Sequence, residues 1–143
     1  MYRVDVYHAF LEDLHGRLRL TAFRDQQASW PKPWILVLPH PSGILVQVGF
    51  HRSTYFHGDG DHSTVLLTVS VTCGQLVTRA REALAASDEF RHSTRKDALY
   101  AQQECLRSMT EDAEQIILRN RCDELLRWAL AHLDLVHRAL IAS

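Results

Sequence analysis

The chain has 143 residues, 46% of them apolar and 23% charged, which suits one packed domain and is too apolar for a disordered chain. Its formal net charge is −1, with 16 basic and 17 acidic residues interspersed. No broad positive field draws in phosphate backbones or anionic lipid, which argues against nucleic acid and membrane as partners.

Three cysteines without CxxC spacing argue against a disulfide framework and a zinc knuckle. No apolar run approaches the ~20 residues that span a bilayer. Asp5, Glu12 and Asp13 interrupt the first hydrophobic residues, unlike a secretion signal. A cytoplasmic protein without a cofactor is expected.

Val4, Tyr7, Phe10, Leu11, Leu14 and Leu18 recur at three- and four-residue spacing, which predicts an amphipathic helix over 3–15 that stops at Gly16. Leu18, Leu20 and Ala22 alternate with Arg17, Arg19, Thr21 and Phe23, which reads as a strand over 17–24 followed by a loop over 25–33. The segment Trp30-Pro31-Lys32-Pro33-Trp34 sets two indoles around a stiff turn, suited to anchoring a partner. The competing reading puts Trp34 in the core and Trp30 over a sheet edge. Residues 34–38 form an apolar strand between Pro33 and Pro39, and Pro39 to Gly43 is turn chemistry. Ile44, Val46, Val48 and Phe50 then alternate with Leu45, Gln47, Gly49 and His51 in an antiparallel return strand. Further strands are expected near 53–56 and over 64–72, with a loop at 57–62 between them.

Thr72 to Gln75 has the spacing of a capping box, so a helix should start there, burying Leu76, Val77, Ala80, Ala83 and Leu84 and ending at Ser87-Asp88. Thr94 to Asp97 gives a second cap-like signal, with Ala98, Gln102, Cys105, Leu106 and Met109 on one face of a following helix. A last helix begins near Thr110. The final glycine is Gly74 and the final proline Pro41, so the last 69 residues contain no helix breaker. One straight helix over 110–142 would reach roughly 50 Å at ~1.5 Å per residue. A globule of this length is only ~37 Å across. Such a helix either bends without glycine or proline or overhangs the body.

Cys122, Leu126, Ala129, Leu133, Val136 and Leu140 are spaced four, three, four, three, four, a short heptad seam. Leu118, Leu125, Trp128 and Leu135 form a second apolar flank. The sequence therefore reads as an α+β fold on one domain, 1–143. It has an N-terminal helix and an antiparallel meander sheet of four or five strands within 1–73, then an all-helical half, 74–143, packed on one face. The order helix, three or more strands, helix is similar to the opening of small bacterial secretion-chaperone-like folds.

Two segments have enzymatic potential. His57-Gly58-Asp59-Gly60-Asp61-His62 supplies two imidazoles and two carboxylates, a donor set zinc or manganese accepts. It superficially resembles the HxHxDH signature of metallo-β-lactamase-type hydrolases, with Asp59 at the second histidine. That family follows the motif with a helix, whereas here a strand follows, so its activity is not carried over. The competing reading is a hairpin tip with Asp59-Gly60 in the turn. Cys73, between a strand end and a helix start, sits where a helix dipole favours thiolate. The nine histidines are scattered along the chain rather than grouped.

The function expected from these features is a non-enzymatic protein-binding module of a bacterium or phage, an adaptor, chaperone-like or inhibitor protein. Its long C-terminal helix would grip a partner protein or a second copy in a homodimer through the seam, Trp128 and the Trp30–Trp34 region. The alternative is a small metal-dependent hydrolase or thiol enzyme using His57, Asp59, Asp61 and His62, or Cys73.

Overall fold

The computed structural model describes the backbone of residues 3–18, 21, 23, 27–57, 60–72, 74, 76, 78–93, 97–108 and 111–141. Side chains are described for these residues except 3–5, 52–57, 60–63, 106–108 and 111–115.

Helix α1 spans Arg3–Arg17 and buries Val6, Tyr7, Phe10, Leu11 and Leu14, with Leu18 just beyond its end. Gly16 does not stop it; the residue is exposed within the last turn. The chain turns one step later, where the amide and hydroxyl of Thr21 each bond the Leu18 carbonyl at 2.9 Å and Phe23 N donates to Thr21 Oγ1 at 3.2 Å. This hydroxyl-closed turn replaces the strand expected over 17–24 at the residues described.

Strands β1 (Ser29–Lys32), β2 (Ile35–Pro39), β3 (Leu45–His57) and β4 (Gly60–Thr72) follow as antiparallel neighbours. Helix α2, Thr78–Ala85, leads to β5, Arg91–Ser93, and β6, Ala98–Ser108. The sheet has six strands, not four or five, in the order β1-β2-β3-β4-β6-β5. Because β6 is antiparallel to both β4 and β5, β5 runs parallel to β4. The meander thus holds through β4, and α2 then carries the chain across to the far edge.

The expected all-helical half is therefore wrong over Arg91–Ser93 and Ala98–Ser108, which are strands. Leu99, Ala101 and Cys105 are buried while Gln102 and Glu104 are exposed, a period of two. A bulge disguised it: Leu66 pairs with Glu104 and Val65 with Leu106, leaving Cys105 without an opposite number. The shift of phase leaves Ala98, Gln102, Cys105 and Leu106 at helix-like intervals. Asp88 and Asp97, at φ 63° and 48°, make the turns that enclose β5, a backbone conformation Asp tolerates better than most residues.

The last helical segment divides into α3, Glu111–Asn120, and α4, Cys122–Ile141. The i→i−4 bonds Arg121 N to Ile117 O and Leu125 N to Arg121 O, at 3.1 and 3.0 Å, persist across the junction. Arg121 reaches the bulge from there, donating to the carbonyls of Glu104 at 2.8 Å and Cys105 at 2.5 Å, while its Nε bonds Glu124 at 2.8 Å. The guanidinium satisfies the carbonyls that the bulge leaves out of register and ties the helical junction to the sheet.

All the helices draw on one core. Register rows Leu36, Val48, Val69, Ala101 and Leu38, Val46, Val71, Leu99 are buried. Leu125, Leu126, Ala129, Leu133 and Val136 of α4 join them. The expected α+β class with helices on one sheet face holds.

Candidate functional site

The second face of the sheet keeps contact with solvent. Leu45, Gln47, His51, Thr72, Gln102 and Glu104 are exposed there, and Ile35, Val37, Leu66, Thr68, Ser70 and Tyr100 are half-buried. Its middle row is Ile35, Gly49, Thr68, Gln102. Thr68 Oγ1 is the buried side-chain polar atom left without a partner among the described residues. Leu45 is 45% exposed there.

The β3–β4 hairpin extends beyond its neighbours. Strand β2 pairs with Leu45 to Gly49 only, and Phe50 N adds a bond to Trp34 O at 3.0 Å. Residues 51–57 pair with β4 on one side and with no strand on the other among the described residues. Backbone groups alternate sides along an antiparallel strand. Since the Phe50 amide points toward β2, those of Arg52, Thr54 and Phe56 point to the same, open side. A free edge of this kind accepts an extended chain through main-chain hydrogen bonds.

A second constellation joins positions 97 residues apart. His40, buried at 4% exposure in the β2–β3 turn, places Nε2 at 2.9 Å from Nδ1 of His137 on α4. Its own Nδ1 accepts the Ser42 backbone amide at 3.1 Å and lies 2.8 Å from Ser42 Oγ. The amide fixes the tautomer: Nδ1 is the acceptor, so Nε2 carries the proton and donates to His137. Burial, and then His137 alongside, push the His40 pKa down. Phe23 packs edge-on at 5.5 Å. The hydroxyl, imidazole, imidazole order resembles a nucleophile relay, but the turn amides are engaged: Gly43 N bonds His40 O at 2.8 Å and Ser42 N bonds the ring. They are not free to stabilise an oxyanion.

His132 works differently. Its Nδ1 contacts Trp128 O at 2.7 Å and its Nε2 contacts Glu89 at 2.8 Å. The ring thus sits between a backbone carbonyl and a carboxylate. This ring ties α4 to the segment after α2 and lies tilted against Trp128 with ring centroids 4.1 Å apart.

The expected site residues separate as follows. Leu126, Ala129, Leu133, Val136 and Leu140 are 0–9% exposed within the protomer, so the seam is already covered by the chain's own sheet and helices. Cys122 and Trp128 are half-buried against the same core. Trp34 is half-buried against the core, and Trp30 packs on His8 of α1 at 4.6 Å, with His8 Nδ1 at 2.9 Å from Pro33 O. The stiff turn thus docks onto α1.

Of the metal-ligand set, Asp59 lies outside the described residues. His57 pairs with Gly60, Phe56 with Asp61 and Tyr55 with His62, so pairing continues to the hairpin tip. Asp61 and His62 are consecutive strand positions, which belong to opposite faces. Cys73 also lies outside the described residues.

The two described thiols are unsuited to nucleophilic work. Burial pushes Cys105 up to about 12, and burial followed by Asp13 raises Cys122. Cys122 lines a cleft of about 370 Å³ between α1 and the α3–α4 junction with Val6, Phe10 and Leu118, flanked by Asp13 and Arg119. No helix among the described residues is long and apolar enough to cross a membrane. Comparison of the chain with protein-family models, curated proteins and solved structures gives no match.

Proposed function

We propose that the chain is a non-enzymatic protein-binding module, of the adaptor, chaperone-like or inhibitor kind, that accepts an extended segment of another protein along β3. The carrying observation is the edge at residues 51–57, paired on one side only among the described residues. On the solvent-facing side of the sheet it begins at the exposed His51, opposite the half-buried Leu66, with Gly49 and Thr68 in the next row. Main-chain hydrogen bonds along the edge supply affinity, and the mixed apolar and hydroxyl face supplies selectivity. The contact is placed on the sheet rather than on α4 because the α4 seam is occupied internally.

The test uses extended peptides selected from a random display library against the purified protein. Thr54→Pro removes an amide from the open side without removing a β3–β4 bond, so the fold should survive. Peptides that bind the edge should lose at least about tenfold in affinity, equal to about 1.4 kcal/mol. Selected peptides that bind both proteins equally would count against the edge. Native mass spectrometry of the same samples reads whether a second copy occupies it, which is the homodimer form of the proposal.

A further inference from the structure

We propose that the Ser42–His40–His137 chain is an acid-released latch that holds the last turns of α4 against the β2–β3 turn. It consists of one hydrogen bond between rings 97 positions apart in the sequence, 2.9 Å long, beside the backbone bond from Ser42 that orients the inner ring. On α4 it falls among the buried residues Val136, Ala139 and Leu140, whose cover depends on that end of the helix staying seated.

The neutral pair has no ring nitrogen that takes a proton at no cost. His40 Nδ1 already accepts the Ser42 amide, and His40 Nε2 and His137 Nε2 carry the two existing protons. A proton arriving on His137 Nδ1 meets the His40 N–H head-on. If His40 switches tautomer to relieve this, its Nδ1–H confronts the Ser42 amide at 3.1 Å. The Ser42 hydroxyl, 2.8 Å away, can turn to accept; the backbone amide cannot. The first route forfeits the ring–ring bond; the second keeps it but strands the Ser42 amide and leaves a charge beside a ring only 4% exposed. The rings take that proton at less cost once apart and in water, so protonation favours separation of the two elements.

The surroundings offer no countercharge at the described residues that act on His40. Phe23 and Ser42 are neutral, and the charge that acts on His40 is His137 itself. Along α4, Asp134 and Arg138 flank His137 and pair with each other at 2.8 Å. The lowered pKa of His40, caused first by burial and then by His137, agrees with the geometric argument.

Native-state hydrogen exchange on the full chain tests this at about pH 7.5 and about pH 5, the latter still above the ordinary carboxylate range. After correction for intrinsic rates, opening of amides 138–141 should rise by about tenfold or more at the lower pH, while α1 amides 8–14 change less than about threefold. His137→Gln supplies an acceptor that cannot be protonated, and should cut the acid response to about threefold or less. His15→Gln, at an exposed position of α1, should leave it intact. Nitrogen resonances of the wild-type ring should show His40 protonated at Nε2 and bare at Nδ1 at the higher pH.

Acid-insensitive exchange at 138–141, an undiminished response in His137→Gln, or a protonated His40 Nδ1 would each overturn the latch. If His137→Gln does not fold, the wild-type exchange and ring resonances decide the matter.

Discussion

Leu126 and Leu133 distinguish a helix used by its own protomer from a helix kept for a partner. Each is 2% exposed in the single chain, and truncating a leucine this deeply buried costs about 2–5 kcal/mol through lost burial and the cavity left behind. The residues are two helical turns apart, roughly 10 Å along α4 at ~1.5 Å per residue, so their effects should nearly add. With about 3 kcal/mol for each, Leu126→Ala/Leu133→Ala loses about 6 kcal/mol, as much as the whole stability of a weak domain. Each single variant should lower Tm by roughly 9 °C at about 3 °C per kcal/mol. Far-UV circular dichroism melts at two protein concentrations about fiftyfold apart provide the assay, because self-association makes Tm depend on concentration. The expected result is a large drop in Tm that is the same at both concentrations. Single variants within about 2 °C of wild type, or a drop seen only at the lower concentration, would refute the assignment of these leucines to the protomer core.

Other consequences follow from the same contacts. Arg121→Met strips two carbonyls at the β6 bulge of their charged donor and should cost about 2 kcal/mol in urea unfolding, whereas Glu124→Gln, removing an exposed ion pair, should leave the urea midpoint nearly unchanged. Unfolding should become easier as pH falls below 6.5, the ordinary value from which His40 is lowered. In that window the unfolded ring binds a proton that the folded ring refuses, so stability declines until the lower folded pKa is reached. His40→Gln should flatten that slope, and an unchanged slope in urea midpoints would contradict the assignment. Cys105, with its thiol pushed up to about 12 and no exposure, should resist alkylation in the native protein and react only on unfolding, as peptide mapping by mass spectrometry would show.

The parts of the fold that local chemistry specifies were legible in the sequence. Alternation placed Val46, Val48 and Phe50 on the covered face, Pro39 to Gly43 gave the tight turn, and three-to-four spacing gave α1 and the last helix. Competition between local signals erased the rest. A Thr21 hydroxyl bond converted an apparent strand into a turn, and one bulged residue, Cys105, turned a strand into an apparent helix. The His40–His137 contact had no signal at all, because hydrogen bonding between residues 97 positions apart leaves no spacing in the chain. The free edge of β3 was equally hidden. Its openness depends on how short β2 is, not on anything within residues 51–57.

The misread strand also explains why α4 seemed to have apolar surface to spare. Reading 91–108 as helix and loop added helical surface and removed sheet surface at the same time, so the balance was wrong twice. Six strands have five gaps of about 4.8 Å, giving a sheet some 24 Å across, and a helix with its side chains covers only about 10 Å of that. Closing one face therefore takes more than two helices side by side. Helix α1 packs over β2 and β3, while α4 packs over β4 and β6, with α2 and α3 also against β6. The helical tail divides at Arg121 into α3, which packs against β6 and α1, and α4, which packs against β4 and β6. With the described helices packed on one face, the other face of the sheet keeps its contact with solvent.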